Sequence, residues 1–174
     1  SSLSEISGDF QFILCDVWGV IHNGVSAYGA AVDALLRFRA AGGRGVLITN
    51  APRPSSVVYD QLDRLGVDRE AYDDIVSSGD VARSFLAERP DLSIYHLGPD
   101  RDLPIYAGLP NALVDEAAAH LVSCTGLFDD HSETPDDYSD QLGRLAERGV
   151  PMLCANPDKV VERGDSLVWC AGAI

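Results

Sequence analysis

The stretch that decides the fold is FQFILCDVWGVIHNG, at residues 10–24. Its first half is an apolar run that leads into Asp16, and two glycines follow within a few positions. An apolar run of this length between turn residues is typical of a strand that is buried on both faces, as in a parallel sheet covered by helices. Asp16 would then lie at the carboxyl end of that strand, where open α/β sheets place their ligands. The alternative is an Asp that only caps the following turn.

The pattern that begins with this strand continues to about residue 90. Apolar residues at helical spacing predict helices over 30–41 and 54–65, and a third helix that ends near Arg89. Short apolar runs at 44–48 and 74–76 predict two further strands. Strands that alternate with helices in this way are typical of βαβ units, which form a parallel sheet with right-handed crossovers. The fold class is therefore predicted to be α/β.

The rhythm changes after Pro90. Apolar runs predict short strands at 92–97, 112–114, 120–125, 152–155 and 167–170, and Thr134 followed by Pro135 predicts the start of another helix. We therefore expect two modules, over about residues 1–90 and 91–170. Residues 171–174 would begin a return to the first module, and residues 1–8 are given no structure.

Composition limits the partners of the chain. The apolar share of 46% fits a packed globular protein, and 174 residues suffice for one domain with a small inserted module. The 13 Lys and Arg against 27 Asp and Glu give a net charge of -14, which disfavours nucleic acid and anionic membranes as partners. An anionic substrate would have to be attracted locally, by a metal ion or a helix N-terminus.

The cysteines and the lack of long apolar runs bear on the compartment. Four cysteines lie in apolar, strand-like stretches, and no two of them are closely spaced in the sequence: Cys15, Cys124, Cys154 and Cys170. We expect them to be buried and reduced, with disulfides and metal binding disfavoured. No apolar run reaches the length of a membrane span and no N-terminal leader is recognisable, so a cytoplasmic location is expected.

Three short motifs occur in an order that is typical of one enzyme superfamily. They are DVWGV at 16–20, LITN at 47–50, and NPD at 156–158 followed by AGAI at 171–174. Together they resemble the haloacid dehalogenase superfamily, and most of all its class IIA, the NagD-like sugar and nucleotide phosphatases. The resemblance implies a partial Rossmann-like core with an inserted α/β class II cap domain.

The resemblance also implies roles for individual residues. Asp16 would be the nucleophile toward a phosphoryl group of a small phosphorylated metabolite, and the Thr49 hydroxyl and the Asn50 amide would hold the phosphate. Asp16 and the backbone carbonyl of Trp18 would ligate Mg²⁺. Asp158, on a loop of the implied cap, would be either a substrate-specificity residue or a turn former. Members of this class often pair through their caps, so a homodimer is expected as well.

Two departures from the family pattern concern catalysis. Phosphatases of the superfamily carry a second Asp two residues after the nucleophile, as general acid and base, and this chain has Trp18 there. The family's catalytic lysine also has no counterpart, because the one lysine, Lys159, directly follows the NPD motif and is interpreted as a loop or pocket-rim residue. We therefore expect that the C-terminal half of the core, with the lysine and further metal-binding Asp, is absent from this sequence.

These departures leave more than one function open. The leading prediction is a Mg²⁺-dependent phosphatase that works through an aspartyl phosphate on Asp16. The rival is a catalytically impaired member that binds a phosphorylated ligand or a protein partner, and Trp18 favours it. Hydrolysis at carbon with the same Asp, as in dehalogenases, is a third alternative that the implied cap makes less favourable. His22 is predicted to be a solvent-facing turn residue, with a substrate contact as the alternative. Zinc is not expected because the histidines lack ligand spacing.

Overall fold

The structure is a computed structural model that describes residues 7–164 and 166–174. Its described α-helices are α1 (Gly29–Ala40), α2 (Ser55–Arg64), α3 (Ser78–Ala87) and α4 (Ser139–Glu147). Its described strands are β1 (Phe12–Asp16), β2 (Arg44–Thr49), β3 (Asp74–Ser77), β4 (Ile94–Leu97), β5 (Leu121–Cys124), β6 (Met152–Cys154), β7 (Val160–Arg163) and β8 (Ser166–Trp169). Alternating helices and parallel strands confirm the predicted α/β class.

The first sheet is parallel, with the order β1-β2-β3. The register pairs Asp16 with Ile48 and Thr49 with Ser77, so the three strands end at the same edge. Helix α1 connects β1 to β2, and helix α2 connects β2 to β3, so both crossovers run in the same direction across the sheet. Right-handed crossovers that run in one direction place both helices on the same face of the sheet.

Only one face of this sheet is covered, which corrects the prediction that the first strand is buried on both faces. Burial alternates along β2, where Leu47 is fully buried and Ile48 is 41% exposed. On β1, Phe12 and Leu14 are 62% and 70% exposed. Since β1 is an edge strand of the described sheet and both helices lie on the opposite face, these apolar side chains face solvent.

The second sheet is parallel too, with the order β4-β5-β6, and its central strand is buried on both faces. All four residues of the central strand β5 are buried. One cluster joins Leu86 of α3 to Ile94 and Leu121, and a second joins Leu145 of α4 to Val122. The predicted strand at 120–125 is present as β5, and it is covered on both faces, unlike β1.

Several predicted elements differ in detail. Residues 112–114 form only an isolated bridge, in which Leu113 pairs with Ile94, rather than a strand. The helix expected from Thr134 begins as a 3-10 turn, Pro135–Tyr138, before α4. Strand β7 was not predicted; it pairs with β8 in a two-stranded sheet. Other 3-10 turns are Ser7–Asp9, Arg69–Ala71, Asp100–Tyr106, Glu116–Ala118 and Ala171–Ala173.

Residue contacts divide the chain into two compact units. The first unit consists of the chain up to Thr49, Ser55–Ser77 and a short stretch that begins at Glu162. The second unit consists of Asn50–Pro54, Ser78–Val161 and Ser166–Ile174. The contacts thus group helix α3 with the second unit, whereas the sequence-based division placed it in the first. Assignment of the units to a core and a cap stays a prediction.

The termini and the cysteines complete the comparison with the sequence. The prediction of no structure for residues 1–8 falls largely on residues 1–6, outside the described residues, while Ser7–Asp9 forms a 3-10 turn. All four cysteines are free; Cys124 and Cys170 are buried as expected, but Cys15 is only half-buried and Cys154 is exposed. Among the described residues, no helix combines the length and apolar character that a membrane crossing requires.

Candidate active site

Polar side chains end all three strands of the first sheet. Asp16 is the last residue of β1, Thr49 of β2 and Ser77 of β3. The sequence predicted that Asp16 and Thr49 would reach one edge, and the strand register places them there. Ser77 was not predicted as a site residue, although its position directly after an apolar run was the available signal.

Asp16 and Thr49 differ in exposure. The Asp16 side chain is exposed, whereas Thr49 is only 6% exposed. The register offsets the two residues by one position, and successive side chains on a strand alternate between faces. An anion that both side chains hold would therefore have to lie beyond the strand ends, where the pleat no longer separates the two faces.

The carboxylate of Asp16 is oriented by the backbone that follows it. Its Oδ1 accepts a hydrogen bond from the Val17 N–H at 2.8 Å. A carboxylate has two oxygens, so this bond restrains the group while it engages only one of them. The arrangement suits an oxygen nucleophile that must be held in one direction.

The chain leaves β1 through a tight turn. The Val17 carbonyl accepts the Ile21 N–H at 2.8 Å, and the His22 carbonyl accepts the Gly19 N–H at 2.7 Å. Gly19 has a φ of +80°, which a side chain would strain. His22 is 1% exposed, and its Nδ1 accepts the Gly24 N–H at 2.9 Å. The prediction of a solvent-facing His22 is therefore wrong: the imidazole is part of the buried support of this turn.

Trp18 packs into the same turn. Its indole Nε1–H donates to the Glu162 carbonyl at 2.6 Å, and its ring meets the His22 ring edge-on at a centroid distance of 5.0 Å. A Cβ at Gly24 would lie 2.7 Å from the Trp18 ring, so this glycine makes room for it. Trp18 thus has a packing role and a satisfied donor where the family pattern has a second Asp.

The donors expected for Mg²⁺ are oxygen atoms of the right type. The Trp18 carbonyl takes none of the backbone hydrogen bonds that close the turn, as far as the structure describes the chain. Mg²⁺ is usually held by one or two carboxylates together with substrate phosphate and water. Asp16 and the Trp18 carbonyl fit part of such a set. Residues 7–164 and 166–174 contain no cluster of three or more His, Cys, Asp or Glu that could hold a metal ion.

Two further predicted site residues contact each other in the second unit. The Asn50 Nδ2 donates to the Asp158 Oδ1 at 3.0 Å. The loop that carries Asp158 is internally braced, because the Asn156 Oδ1 accepts the Asp158 N–H and the Asp158 carbonyl accepts the Gly172 N–H, both at 3.0 Å. Lys159, beside it, is exposed and lines an open groove.

Comparison with known proteins shows the family. A family model described as haloacid dehalogenase-like hydrolase matches residues 13–109, which is more than half of the chain and includes Asp16, Thr49 and Asn50. The chain belongs to the haloacid dehalogenase-like hydrolases. The resemblance inferred from the sequence motifs is thereby confirmed.

Solved structures agree with this assignment. A haloacid dehalogenase-like hydrolase from Brucella suis is 50% identical, with a TM-score of 0.96 over 99% of this chain and 66% of that one. A glycerol phosphate phosphatase from Mycobacterium tuberculosis, in complex with calcium, is 22% identical, with a TM-score of 0.68 over 97% of this chain and 49% of that one. NagD from E. coli is 19% identical, with a TM-score of 0.66 over 94% of this chain and 62% of that one. The last two share the fold.

The chain thus spans about two thirds or less of the length of these solved structures. No curated protein sequence matches it.

Proposed function

We propose that this hydrolase removes the phosphoryl group from a small phosphorylated metabolite, with Asp16 as the nucleophile. The observation that carries the proposal is the exposed Asp16 carboxylate at the carboxyl edge of a parallel sheet, in a chain of the haloacid dehalogenase-like family. That edge is where open α/β sheets bind their ligands. A structural neighbour named glycerol phosphate phosphatase supports the substrate class.

The reaction proceeds by two displacements at phosphorus. The free oxygen of Asp16 attacks the phosphorus, the bond to the ester oxygen breaks, and the leaving alcohol takes a proton from water. A water molecule then attacks the same phosphorus, which breaks the bond to Asp16 and releases inorganic phosphate. The carboxylate gains chiefly from being held in line with the reacting atom, since it is a weak nucleophile in solution.

Phosphate oxygens need donors that do not neutralise the nucleophile. Thr49 offers a hydroxyl at the same edge as Asp16, and Asn50 follows it directly. An Asn amide nitrogen carries two N–H bonds, of which one is used by Asp158, so the second can donate to a phosphate oxygen. On this proposal Asp158 orients Asn50, and it contributes to substrate choice through that contact.

A divalent cation fits the donors that the chain presents. Asp16 and the Trp18 carbonyl would hold Mg²⁺, which neutralises phosphate charge when bound. The calcium in the Mycobacterium tuberculosis phosphatase supports a divalent ion at sites of this fold. Such an ion would also weaken the repulsion between a phosphorylated substrate and this chain, whose net charge is -14.

A second candidate function is binding of a phosphorylated ligand without turnover. Trp18 favours it, because the residue at the general acid position is a packed indole whose N–H is engaged by the Glu162 carbonyl. General acid–base catalysis contributes roughly 10²–10⁴-fold to rate, and an indole cannot supply it. On this alternative the same edge binds the phosphate, but the ester bond stays intact.

The proposal is tested by measuring phosphate release from p-nitrophenyl phosphate in the presence of Mg²⁺. The assay compares the wild-type chain with Asp16→Asn and with the control Asp33→Asn. Asp33 is an exposed carboxylate on α1 that pairs with Arg37, so its substitution removes the same charge elsewhere. We expect release to fall by about 10⁴-fold or more in Asp16→Asn alone. Equal release by the two variants would overturn the role of Asp16. Binding of the ester without release by the wild type would establish the second candidate instead.

A further inference from the structure

The turn that follows strand β2 is held by the second unit at several points. This turn, Asn50–Pro54, is grouped with the second unit, although Thr49 directly before it belongs to the first. Its Ala51 carbonyl accepts the Gly79 N–H at 3.0 Å, at the start of α3. Its Arg53 forms an ion pair with Asp102, whose Oδ1 lies 3.6 Å from the arginine Nε. The turn is therefore anchored at both Ala51 and Arg53.

Asp102 is the most buried of these anchors. It lies in the 3-10 turn Asp100–Tyr106 and is 1% exposed. A buried carboxylate is costly unless a charged or hydrogen-bonding group compensates for the lost water. The Arg53 guanidinium supplies a positive charge close to this carboxylate. The charge of Arg53 thus compensates in part for the burial of Asp102.

The backbone of the turn is constrained as well. Gly79 packs so closely on the Arg53 backbone that a Cβ there would collide with it. Pro52 and Pro54 flank Arg53, are both buried, and each fixes one φ angle. With the backbone limited in this way, a change at Arg53 is transmitted along the turn to Asn50, three residues earlier.

We propose that Asp102 is a positioning residue of the phosphate site, which acts by holding Arg53 and thereby fixes the Asn50–Pro54 turn and the Asn50 amide. This inference rests on the proposed function, in which Asn50 donates to a phosphate oxygen. Asp102 itself touches no substrate in this account. It lies about fifty residues from the motif that it orients, so that no local sequence pattern connects the two.

The surroundings of Asp102 distinguish this role from that of a general surface ion pair. Its charged neighbours are Arg53, Arg101 and Asp130. Burial raises the pKa of Asp102, an effect that the two arginines oppose. Arg101 has its own partner, since its Nη2 donates to the Asp130 Oδ2 at 2.8 Å. Arg101 therefore offers a matched control: it neighbours Asp102 in the chain but has its ion pair with a different residue.

The test compares Asp102→Asn and Arg53→Lys with the control Arg101→Gln in the full chain. Asparagine keeps the volume of the buried side chain but removes its charge, and lysine keeps the positive charge but not the guanidinium geometry. The first readout is hydrogen exchange of the Gly79 N–H, which reports the anchored turn, with the N–H groups of β5 as an internal reference. The second is the dissociation constant for inorganic phosphate, from NMR titration in the presence of Mg²⁺.

We expect Asp102→Asn to accelerate Gly79 exchange and to weaken phosphate binding, each about tenfold, with β5 unchanged. Arg53→Lys should show the same effects to a smaller extent, and Arg101→Gln neither. Unchanged Gly79 exchange in Asp102→Asn, or equal acceleration throughout β5, would overturn the positioning role. Failure of the wild type to bind phosphate would instead overturn the proposed function, and the exchange rates would still decide whether Asp102 anchors the turn.

Discussion

On the proposed function, Trp18 would determine which phosphate esters this site can cleave. Without an acid to protonate the leaving oxygen, hydrolysis depends on how readily that oxygen leaves as an anion. We expect p-nitrophenyl phosphate, whose leaving group is acidic, to react at least about 10²-fold faster than an alkyl phosphate such as glycerol phosphate. We also expect an initial burst of nitrophenol, because hydrolysis of the aspartyl phosphate has lost its base as well. Equal turnover of aryl and alkyl esters without a burst would contradict this interpretation.

Glu116 illustrates a pH-dependent contact in the second unit. Hydrogen bonds from Arg144 and Gln141 lower the pKa of its carboxyl group to about 2. Since the folded pKa lies below the ordinary value, the contact stabilises the fold above pH ~4.3 and the effect is lost as the pH falls toward 2. We expect Glu116→Gln to lower the melting temperature at pH 7 and to have no such effect near pH 2. A difference that persists at the lower pH would show that packing rather than charge is responsible.

Burial within the first sheet gives a prediction at the scale of elements. Leu47 of β2 is fully buried under the helices, whereas Leu14 of the neighbouring β1 is 70% exposed. We expect Leu47→Ala to lower the free energy of unfolding by about 2–5 kcal/mol, because it leaves a cavity. Leu14→Ala should change it by less than about 1 kcal/mol. Urea unfolding of the two variants measures both, and equal losses would mean that the exposed face of β1 is in fact covered in solution.

The helices and strands also show how much of the fold can be predicted from the sequence. Helix and strand positions in the first unit follow from apolar spacing and agree with the structure within about two residues. The apolar run of β1 predicted a strand buried on both faces, yet the residues of β1 are exposed or half-buried, whereas all four residues of β5 are buried. That difference depends on which faces the helices cover, and spacing along one strand carries no information about it.

Only part of the candidate site could be predicted from the sequence. Asp16 and Thr49 each follow an apolar run, so their shared edge could be inferred from chain order and parallel topology. The buried state of His22 could not, because it results from the turn that wraps around it. Asp102 was overlooked because its partner Arg53 is distant in the chain and its burial arises only after folding.

The charge of the whole molecule affects how a substrate arrives. A net charge of -14 repels an anionic phosphate ester over distances comparable with the Debye length. We expect kcat/KM for p-nitrophenyl phosphate to rise about twofold or more between ~0.01 M and ~0.15 M NaCl, as salt screens that repulsion. Steady-state kinetics at fixed Mg²⁺ measure this effect. A decrease with salt would show that the local field of the site, rather than the overall charge, controls the encounter.

The central claim concerns a covalent bond between Asp16 and the phosphoryl group. The most direct test is to trap that bond. The wild-type chain is mixed briefly with p-nitrophenyl phosphate and Mg²⁺, the reaction is quenched in acid, and the peptides are mapped by mass spectrometry. We predict one phosphoryl group on the peptide that contains Asp16, present in the control Asp33→Asn and absent from Asp16→Asn. Turnover without a phosphorylated protein, or a phosphoryl group on any other residue, would contradict the account.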